Sequence, residues 1–146
     1  MNEEGLIRDE TGAQRLIGYV LDVGQQDKCA RCHLTLTDQH LNRHGVLHGG
    51  IATAMLDNAL GATASLTVDP EGRAPFLTIS LSTQFVAPAR KGAELTATGH
   101  VVGGGRALLF LDGTVRDADG TLIATATGVF KRVPKDRLET TEQKDA

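Results

Sequence analysis

A single carboxylate lies within a stretch of otherwise apolar or small residues. From Ile51 to Leu66 the chain reads IATAMLDNALGATASL, which leaves no wide polar face and predicts a buried helix with Asp57 as its only formal charge. Because a buried carboxylate is costly to desolvate, we expect Asp57 to have hydrogen-bond partners or a chemical task. Thr53 and Gly61 lie four positions to either side, and Thr53 is placed to donate to the carboxylate. A purely structural acid, or a polar contact across a dimer, is the alternative.

Two glycines, Gly49 and Gly50, stand where this helix is predicted to begin. The first N–H groups of a helix have no intrahelical partner and favour negative charge, and glycines let a substrate approach the backbone closely. Such N–H groups near a carboxylate can stabilise an oxyanion while a base or nucleophile attacks a carbonyl, and one donor typically lowers the barrier by about 3 kcal/mol. The alternative is that the glycines serve only the turn.

The most conspicuous short motif, Cys29-Ala30-Arg31-Cys32-His33, has the C-x-x-C-H spacing of covalent haem attachment. Its context argues against that function. The alternation of residues Lys28–Thr37 predicts a half-buried strand, which puts Cys29 and Cys32 on opposite faces. We interpret both cysteines as reduced thiols that are incidental to a strand.

Three further patterns also lack the context that their chemistry needs. His40, His44 and His48 are spaced like metal ligands on a helix, but the surrounding residues predict a loop. Asp117–Gly120 lacks the later Glu of a calcium loop and reads as a hairpin turn, and Gly103–Gly105 lacks the Lys-Ser/Thr of a nucleotide-binding loop. The sequence therefore predicts no metal ion and no cofactor.

The composition narrows the function classes. The 146 residues are enough for one domain, and 40% apolar and 23% charged residues are typical of a globular chain. One Tyr, four Phe and a net charge of −3 argue against a nucleic-acid or membrane partner. Neither an N-terminal secretory signal nor a membrane-length apolar run is visible, so we expect a cytoplasmic location.

The elements that must position Asp57 and the glycines follow from hydrophobic periodicity. The pattern predicts two strands, the helix, and four strands in hairpin succession, which is the α+β class with an antiparallel sheet of five to six strands covering one long buried helix. We expect one domain over residues 1–146, with a peripheral arm at 1–14 and a peripheral or disordered tail at 134–146. The predicted strands are Leu16–Val23, Lys28–Thr37, Phe76–Val86, Glu94–Val101, Ala107–Val115 and Thr121–Arg132.

The spacing Asn42-x-x-Gly45-x-x-His48-Gly49-Gly50, with Asp57 eight residues after Gly49, resembles the signature of hotdog-fold acyl-CoA thioesterases. The match is to the phenylacetic-acid-degradation type, which has Asp on the helix where a related branch has Glu. This resemblance implies a hotdog fold, in which a curved sheet wraps around the helix. It also implies a homodimer with edge-to-edge sheets or a homotetramer of two such dimers, with active sites at the subunit interface.

The resemblance also implies roles for individual residues. Asp57 corresponds to the catalytic carboxylate, acting as general base or nucleophile, and Gly49 to the residue whose N–H polarises the thioester carbonyl. Asn42 matches the Asn that orients the thioester or water, and His48 the His beside the oxyanion hole. Thr78 falls where the family has a Ser or Thr supplied by the other subunit.

The phosphates of CoA need cations, and Arg90, Lys91 and Arg106 lie in turns that could supply them, with Arg73 a less favoured candidate. The leading hypothesis is a thioesterase that hydrolyses an acyl-CoA with an aryl or a short- to medium-chain acyl group. A thioesterase acting on acyl carrier protein and a non-catalytic acyl-CoA-binding domain are the alternatives. The remaining candidate substrate-binding residues are Gly50, Thr53, Gly104 and Gly105.

Overall fold

The computed structural model describes residues 3–134 and 136–138, in which seven strands form one antiparallel sheet. The elements are β1 (Leu6–Ile7), α1 (Gly12–Ile17), β2 (Val20–Asp22), β3 (Arg31–Thr35), a 3-10 turn (Asp38–His40), α2 (Gly49–Leu66), β4 (Phe76–Phe85), β5 (Glu94–Gly104), β6 (Leu108–Arg116) and β7 (Leu122–Arg132). The strand order is β1-β2-β3-β5-β6-β7-β4. The predicted α+β class is confirmed, and β1 adds a seventh strand to the five or six expected.

The long helix α2 packs against β3, β4, β5, β6 and β7. It begins at Gly49, as predicted, and its sheet-facing side buries Met55, Leu56 and Leu60 completely. Each of these side chains contributes about 1.5–3 kcal/mol through burial. The opposite side, which includes Asp57, is only partly buried. The prediction of a helix buried all round is therefore wrong for that side.

Gly99 on β5 shows how closely α2 lies on the sheet. A Cβ atom at this position would be 2.7 Å from the carbonyl oxygen of Ala59 and 2.6 Å from the hydroxyl of Thr63. No side chain fits between the strand and the helix at this point. The close approach fixes the height of α2 above the sheet, and with it the position of the residues on the other side of the helix.

The N-terminal region differs from the prediction. Leu16 and Ile17 belong to α1, so the predicted strand Leu16–Val23 is wrong at its start, and only Val20–Asp22 pairs as a strand. Helix α1 forms because the Thr11 side chain caps its N-terminus and Gly18, at φ 89°, ends it. The arm at 1–14 contains β1, which pairs with β2. The predicted tail at 134–146 lies outside the described residues except for Pro134 and 136–138.

Two further strand boundaries differ from the prediction. Strand β3 begins only at Arg31, because Lys28 takes a positive φ of 60° and interrupts the extended chain. Strand β5 continues past the predicted end at Val101 to Gly104, with a bulge between Val101 and Gly103. The Asp117–Gly120 hairpin turn is confirmed, since the Asp117 side chain accepts hydrogen bonds from two backbone N–H groups of the turn.

Strand β4 is an edge strand that pairs only with β7. Three apolar side chains of this strand, Leu77, Ile79 and Phe85, are 49%, 57% and 62% exposed. A long apolar edge strand is a surface on which another chain can add a strand. A bulge at Ile79 shifts the register, because Thr78 pairs with Phe130 while Ser80 pairs with the adjacent Val129.

Candidate active site

Asp57 is held by Thr78. The Thr78 hydroxyl donates a hydrogen bond of 2.6 Å to Oδ1 of Asp57, a length typical of a donor to a charged carboxylate. The predicted bond from Thr53 is wrong, because the Thr53 hydroxyl instead donates to the carbonyl oxygen of Gly49 at 2.8 Å. No hydrogen bond from the described part of the chain reaches the second carboxylate oxygen, Oδ2. That oxygen is free to accept a proton or to attack an electrophile.

The bulge in β4 is what aims Thr78 at the carboxylate. Side chains alternate between the two faces of a strand, so Thr78 and Ser80 would share the outer face in a regular strand. The extra residue, Ile79, turns Thr78 to the face that carries α2. The bulge is therefore the cause of the contact between Thr78 and Asp57.

Helix α2 begins with a side-chain cap. The N–H of Gly50 donates to Nδ1 of His48 at 2.9 Å, so the proton of the neutral imidazole is on Nε2. The N–H groups of Ile51 and Ala52 both donate to the His48 carbonyl oxygen. Among the described residues, none accepts a hydrogen bond from the N–H of Gly49. Of the two glycines, only Gly49 therefore keeps a donor for a ligand.

Asn42 lies beside that free N–H with its amide fixed in one orientation. Its Oδ1 accepts hydrogen bonds from the N–H groups of His44 at 2.9 Å and Val46 at 3.3 Å. Because an amide oxygen accepts while an amide nitrogen donates, the Nδ2 group must be the end that points away from these two donors. Asn42 and Gly49 both line one cavity of about 430 Å³. Two donors therefore border the same space.

The Asp57–Thr78 pair and the Asn42–Gly49 pair are separated within the chain. Gly49 and Asp57 are eight residues apart on one helix, a rise of about 12 Å along its axis. During hydrolysis a donor must lie within about 3 Å of the carbonyl oxygen, and the attacking group within about 3 Å of the carbonyl carbon. One chain therefore holds two half-sites that cannot act on the same carbonyl.

The predicted cations are divided in the same way. The backbone of Arg90 forms an isolated antiparallel β-bridge with that of Val46, near the Asn42 half-site. The Lys91 ammonium forms an ion pair with Asp38 at 3.2 Å. Arg106 follows the opposite end of β5, where the N–H of Gly105 closes the turn by donating to Leu108 at 2.8 Å. The 11 residues of β5 separate these ends by about 34 Å. Gly104, at φ 116°, ends the strand on the Arg106 side.

The cysteines and the other histidines have structural surroundings. Cys32 is fully buried, which raises the pKa of its thiol to about 12. Cys29 precedes β3 and its sulfur lies 3.4 Å from Nδ1 of His100. His40 is buried, with Nε2 donating to the Ile17 carbonyl oxygen at 2.7 Å. Within residues 3–134 and 136–138, no group of three His, Cys, Asp or Glu side chains is arranged to hold a metal ion.

A sequence family matches most of the region that carries these half-sites. The sequence model of the thioesterase superfamily matches residues 44–124, more than half of the chain. The chain belongs to the thioesterase superfamily. This thioesterase is 29% identical over 112 residues to human acyl-coenzyme A thioesterase 13, covering 76% of this chain and 78% of the relative. It is therefore a thioester hydrolase, and the predicted family is confirmed.

Solved structures agree on the hotdog fold. A mutant of the phenylacetic acid degradation protein PaaI from Thermus thermophilus is 25% identical, with a TM-score of 0.71 over 84% of the thioesterase and 100% of that chain. The E. coli PaaI protein from the phenylacetic acid degradation operon has a TM-score of 0.73 at 22% identity, over 86% and 87% of the two chains, and supports the fold alone. None of the helices in the described ranges is long and apolar enough to cross a bilayer.

One residue at the site was missed from the sequence. Phe85 received no role from the sequence, yet its ring covers Gly49, where a Cβ atom would lie 3.2 Å from the ring. The signal in the sequence was the position of Phe85, one of only four Phe, directly before the Val86-Ala87-Pro88 turn. Its exposed fraction of 62% is unusual for a side chain of this size.

Proposed function

We propose that this thioesterase hydrolyses acyl-CoA to a free acid and CoA, using Asp57 of one subunit and Gly49 of another. The observation that carries the proposal is the separation of the two half-sites on α2, each of which holds one part of the machinery that thioester hydrolysis needs. The name of the human relative supports CoA as the carrier. The family membership supports the reaction class.

The free edge of β4 supports a dimer that joins the half-sites. Thr78 contacts Asp57, and Phe85 contacts Gly49. These two β4 residues are seven positions apart, which is about 23 Å along the strand. Antiparallel pairing of two β4 strands centred near Leu81 and Ser82 places Thr78 of one copy opposite Phe85 of the other. The same pairing covers the exposed apolar side chains of the edge. Two equivalent sites result, as two-fold symmetry requires.

In the composite site the reaction proceeds without a catalytic triad. The thioester oxygen accepts hydrogen bonds from the Gly49 N–H and the Asn42 amide, which stabilise the oxyanion of the tetrahedral intermediate. Oδ2 of Asp57 from the other copy either accepts a proton from the attacking water or attacks the carbonyl carbon itself, to form an anhydride that water then hydrolyses. In both routes the carbon–sulfur bond breaks, the CoA thiolate takes up a proton, and one water is consumed.

Thr78 and His48 position the reacting groups in this proposal. Thr78 holds Oδ1 of Asp57 and leaves Oδ2 directed at the substrate. His48 fixes the first turn of α2 and so the direction of the Gly49 N–H. Arg90, Lys91 and Arg106 provide charge for the CoA phosphates. Gly50, Thr53, Gly104 and Gly105 shape the adjacent backbone and contact the substrate without supplying charge.

The alternatives differ in carrier and in catalysis. An acyl carrier protein would present the thioester on a protein surface, and a non-catalytic domain would bind acyl-CoA without hydrolysing it. The Asp57 carboxylate with one oxygen oriented by Thr78 favours catalysis, because binding alone needs no such group. A homodimer is the minimum assembly that completes the site, a tetramer of two dimers is compatible with it, and a cytoplasmic location remains our expectation.

A panel of acyl-CoA thioesters assayed by release of free thiol tests the proposal. We expect the native chain to release CoA from at least one aryl or short- to medium-chain substrate, and the Asp57→Ala variant to release none above background while remaining folded and dimeric. Full activity of the Asp57→Ala variant would exclude the mechanism. Tight binding of acyl-CoA without thiol release by the native chain would establish the non-catalytic alternative.

A further inference from the structure

The cavity beside Gly49 has an apolar wall. Its lining includes Val46, Leu47, Ala52, Phe85 and Ile123, and the polar groups that border it belong to Asn42 and the Gly49 backbone. Within the part of the chain that the structure describes, no charged side chain lines it. A cavity with apolar walls and two convergent donors suits an uncharged hydrocarbon group attached to a carbonyl. It does not suit the phosphates of CoA, which need cations.

We propose that this cavity receives the acyl group of the substrate and that Phe85 sets how large an acyl group is accepted. The inference rests on the proposed thioesterase function and adds to it the place of the acyl group and a specificity-determining residue. With the Phe85 ring in place, we expect aryl-substituted and short- to medium-chain acyl groups to be preferred to long-chain groups.

The volume of the cavity is compatible with an acyl group. At about 430 Å³ it falls within the range of about 300–1,000 Å³ that is typical of small-molecule pockets.

Phe85 is the wall residue with the largest influence on that volume. It is the last residue of β4 and its Cα partner is Ala124 on β7. Ala124, Ala52 and Ala87, which also line the cavity, have side chains of a single carbon. Removing the ring of Phe85 therefore enlarges the cavity more than any loss at these three positions. The ring also lies against Gly49, the residue that carries the proposed oxyanion donor.

The test compares kcat/KM across straight-chain acyl-CoAs from acetyl to palmitoyl, and for phenylacetyl-CoA, in four proteins. These are the native chain, Phe85→Ala, Phe85→Leu and the matched control Phe110→Ala. Phe110 is also an exposed aromatic residue in a strand, 45% exposed, but it does not line the cavity. The oligomeric state of each protein is measured by light scattering, since Phe85 also belongs to the proposed dimer edge.

We expect the native optimum at or below medium chain length. In Phe85→Ala the ratio of kcat/KM for palmitoyl-CoA to that for octanoyl-CoA rises by at least about tenfold, because each methylene accommodated in an apolar pocket changes kcat/KM by about that factor. Phe85→Leu shifts the ratio in the same direction by less, and Phe110→Ala leaves it unchanged. If Phe85→Ala loses the dimer, Phe85→Leu decides the question by the same ratio.

Two results would overturn the inference while leaving the proposed function intact. One is a native enzyme that hydrolyses palmitoyl-CoA as efficiently as octanoyl-CoA. The other is a Phe85 variant that remains dimeric and changes kcat/KM for all chain lengths by the same factor. A native chain that releases no thiol from any acyl-CoA would instead refute the proposed function.

Discussion

Thr78 donates a hydrogen bond to Asp57 of its own chain, across 21 positions of sequence and between an edge strand and the central helix. The resemblance implied that the Ser or Thr comes from the other subunit. The structure instead joins Thr78 and Asp57 in one half-site and leaves Asn42, His48 and Gly49 in the other. The hydroxyl occupies one carboxylate oxygen, which restricts rotation of the carboxylate and presents the other oxygen.

This pairing predicts that Thr78 acts by positioning Asp57. Thr78→Val retains the shape of the side chain and removes the donor, so we expect kcat to fall about tenfold with little change in KM, whereas Asp57→Asn lowers kcat by about 10²–10⁴-fold through loss of the base or nucleophile. Thr78→Ser restores the hydroxyl and most of the activity. The measurement is steady-state free-thiol release with the preferred acyl-CoA. A Thr78→Ser variant as slow as Thr78→Val would show that the hydroxyl is not what matters.

A composite site predicts complementation between inactive subunits. Asp57→Ala and Asn42→Ala chains are each inactive as homodimers, but a heterodimer of the two has one intact site. The doubly purified heterodimer should therefore show about half of the native activity per dimer, because one of its two sites is intact. The unfractionated co-expression mixture, in which about half of the dimers are mixed, should show about a quarter. The measurement uses two affinity tags and thiol release by the doubly purified heterodimer. The Asp57→Ala, Asn42→Ala double variant mixed with the native chain is the control, because its heterodimer contains no intact site.

The outcome without complementation is equally informative. If each chain held a complete site, the mixed dimers would be as inactive as the parent variants. That result would mean that Asp57 and Gly49 of the same chain act on one carbonyl, although eight residues of α2 separate them.

The sequence was sufficient for the central helix and for most of the sheet, because both depend on local periodicity. Alternation identified β4, β6 and β7 to within one or two residues at either end. It could not identify α1, whose stability depends on buried hydrogen bonds from the Gln14 side chain to the carbonyl oxygens of Ile7 and Tyr19. These hydrogen bonds join α1 to segments on either side of it, and hydrophobic periodicity does not reveal them.

For the active site, residue types were predictable but their partners were not. The motif selected Asp57, Gly49 and Asn42, and the structure places Asn42 and Gly49 at one cavity. The bulge at Ile79 moved Thr78 to the other face of β4, and no residue in that stretch indicates it. Phe85 was missed because a strand-final aromatic residue satisfies the core pattern equally well.

The cations predict a salt-dependent KM. Arg90→Ala and Arg106→Ala remove charges that face solvent, so each should raise KM for acyl-CoA several-fold and lower kcat less. The effect should shrink at high ionic strength, because exposed charges are screened. Arg73→Ala is the matched control, since Arg73 already pairs with Glu10 at 3.7 Å and Glu71 at 3.6 Å. A KM for the Arg90 and Arg106 variants that matches the native value at low salt would exclude them from CoA binding.

The two cysteines predict selective alkylation. Cys32 is buried with a pKa of about 12, so its thiolate is scarce and inaccessible in the native chain. Cys29 is partly exposed, and burial together with Asp27 raises the pKa of its thiol more modestly. Iodoacetamide at pH 8 should therefore modify one site slowly in the native protein and two sites after denaturation, as counted by mass spectrometry. Equal labelling of both cysteines in the native protein would contradict the buried position of Cys32.

The cap at the start of α2 predicts that the His48 imidazole acts by fixing the helix N-terminus and not by contacting the substrate. His48→Ala removes the acceptor for the Gly50 N–H, so we expect a loss of about 1 kcal/mol in the free energy of unfolding and a lower kcat, because the direction of the Gly49 N–H is no longer fixed. His48→Asn supplies a different side-chain acceptor, and Asn is among the best N-cap residues. It should recover both the stability and most of the kcat, measured by urea unfolding and by thiol release. A His48→Asn variant with native stability and the low kcat of His48→Ala would instead show that the imidazole itself contacts the substrate.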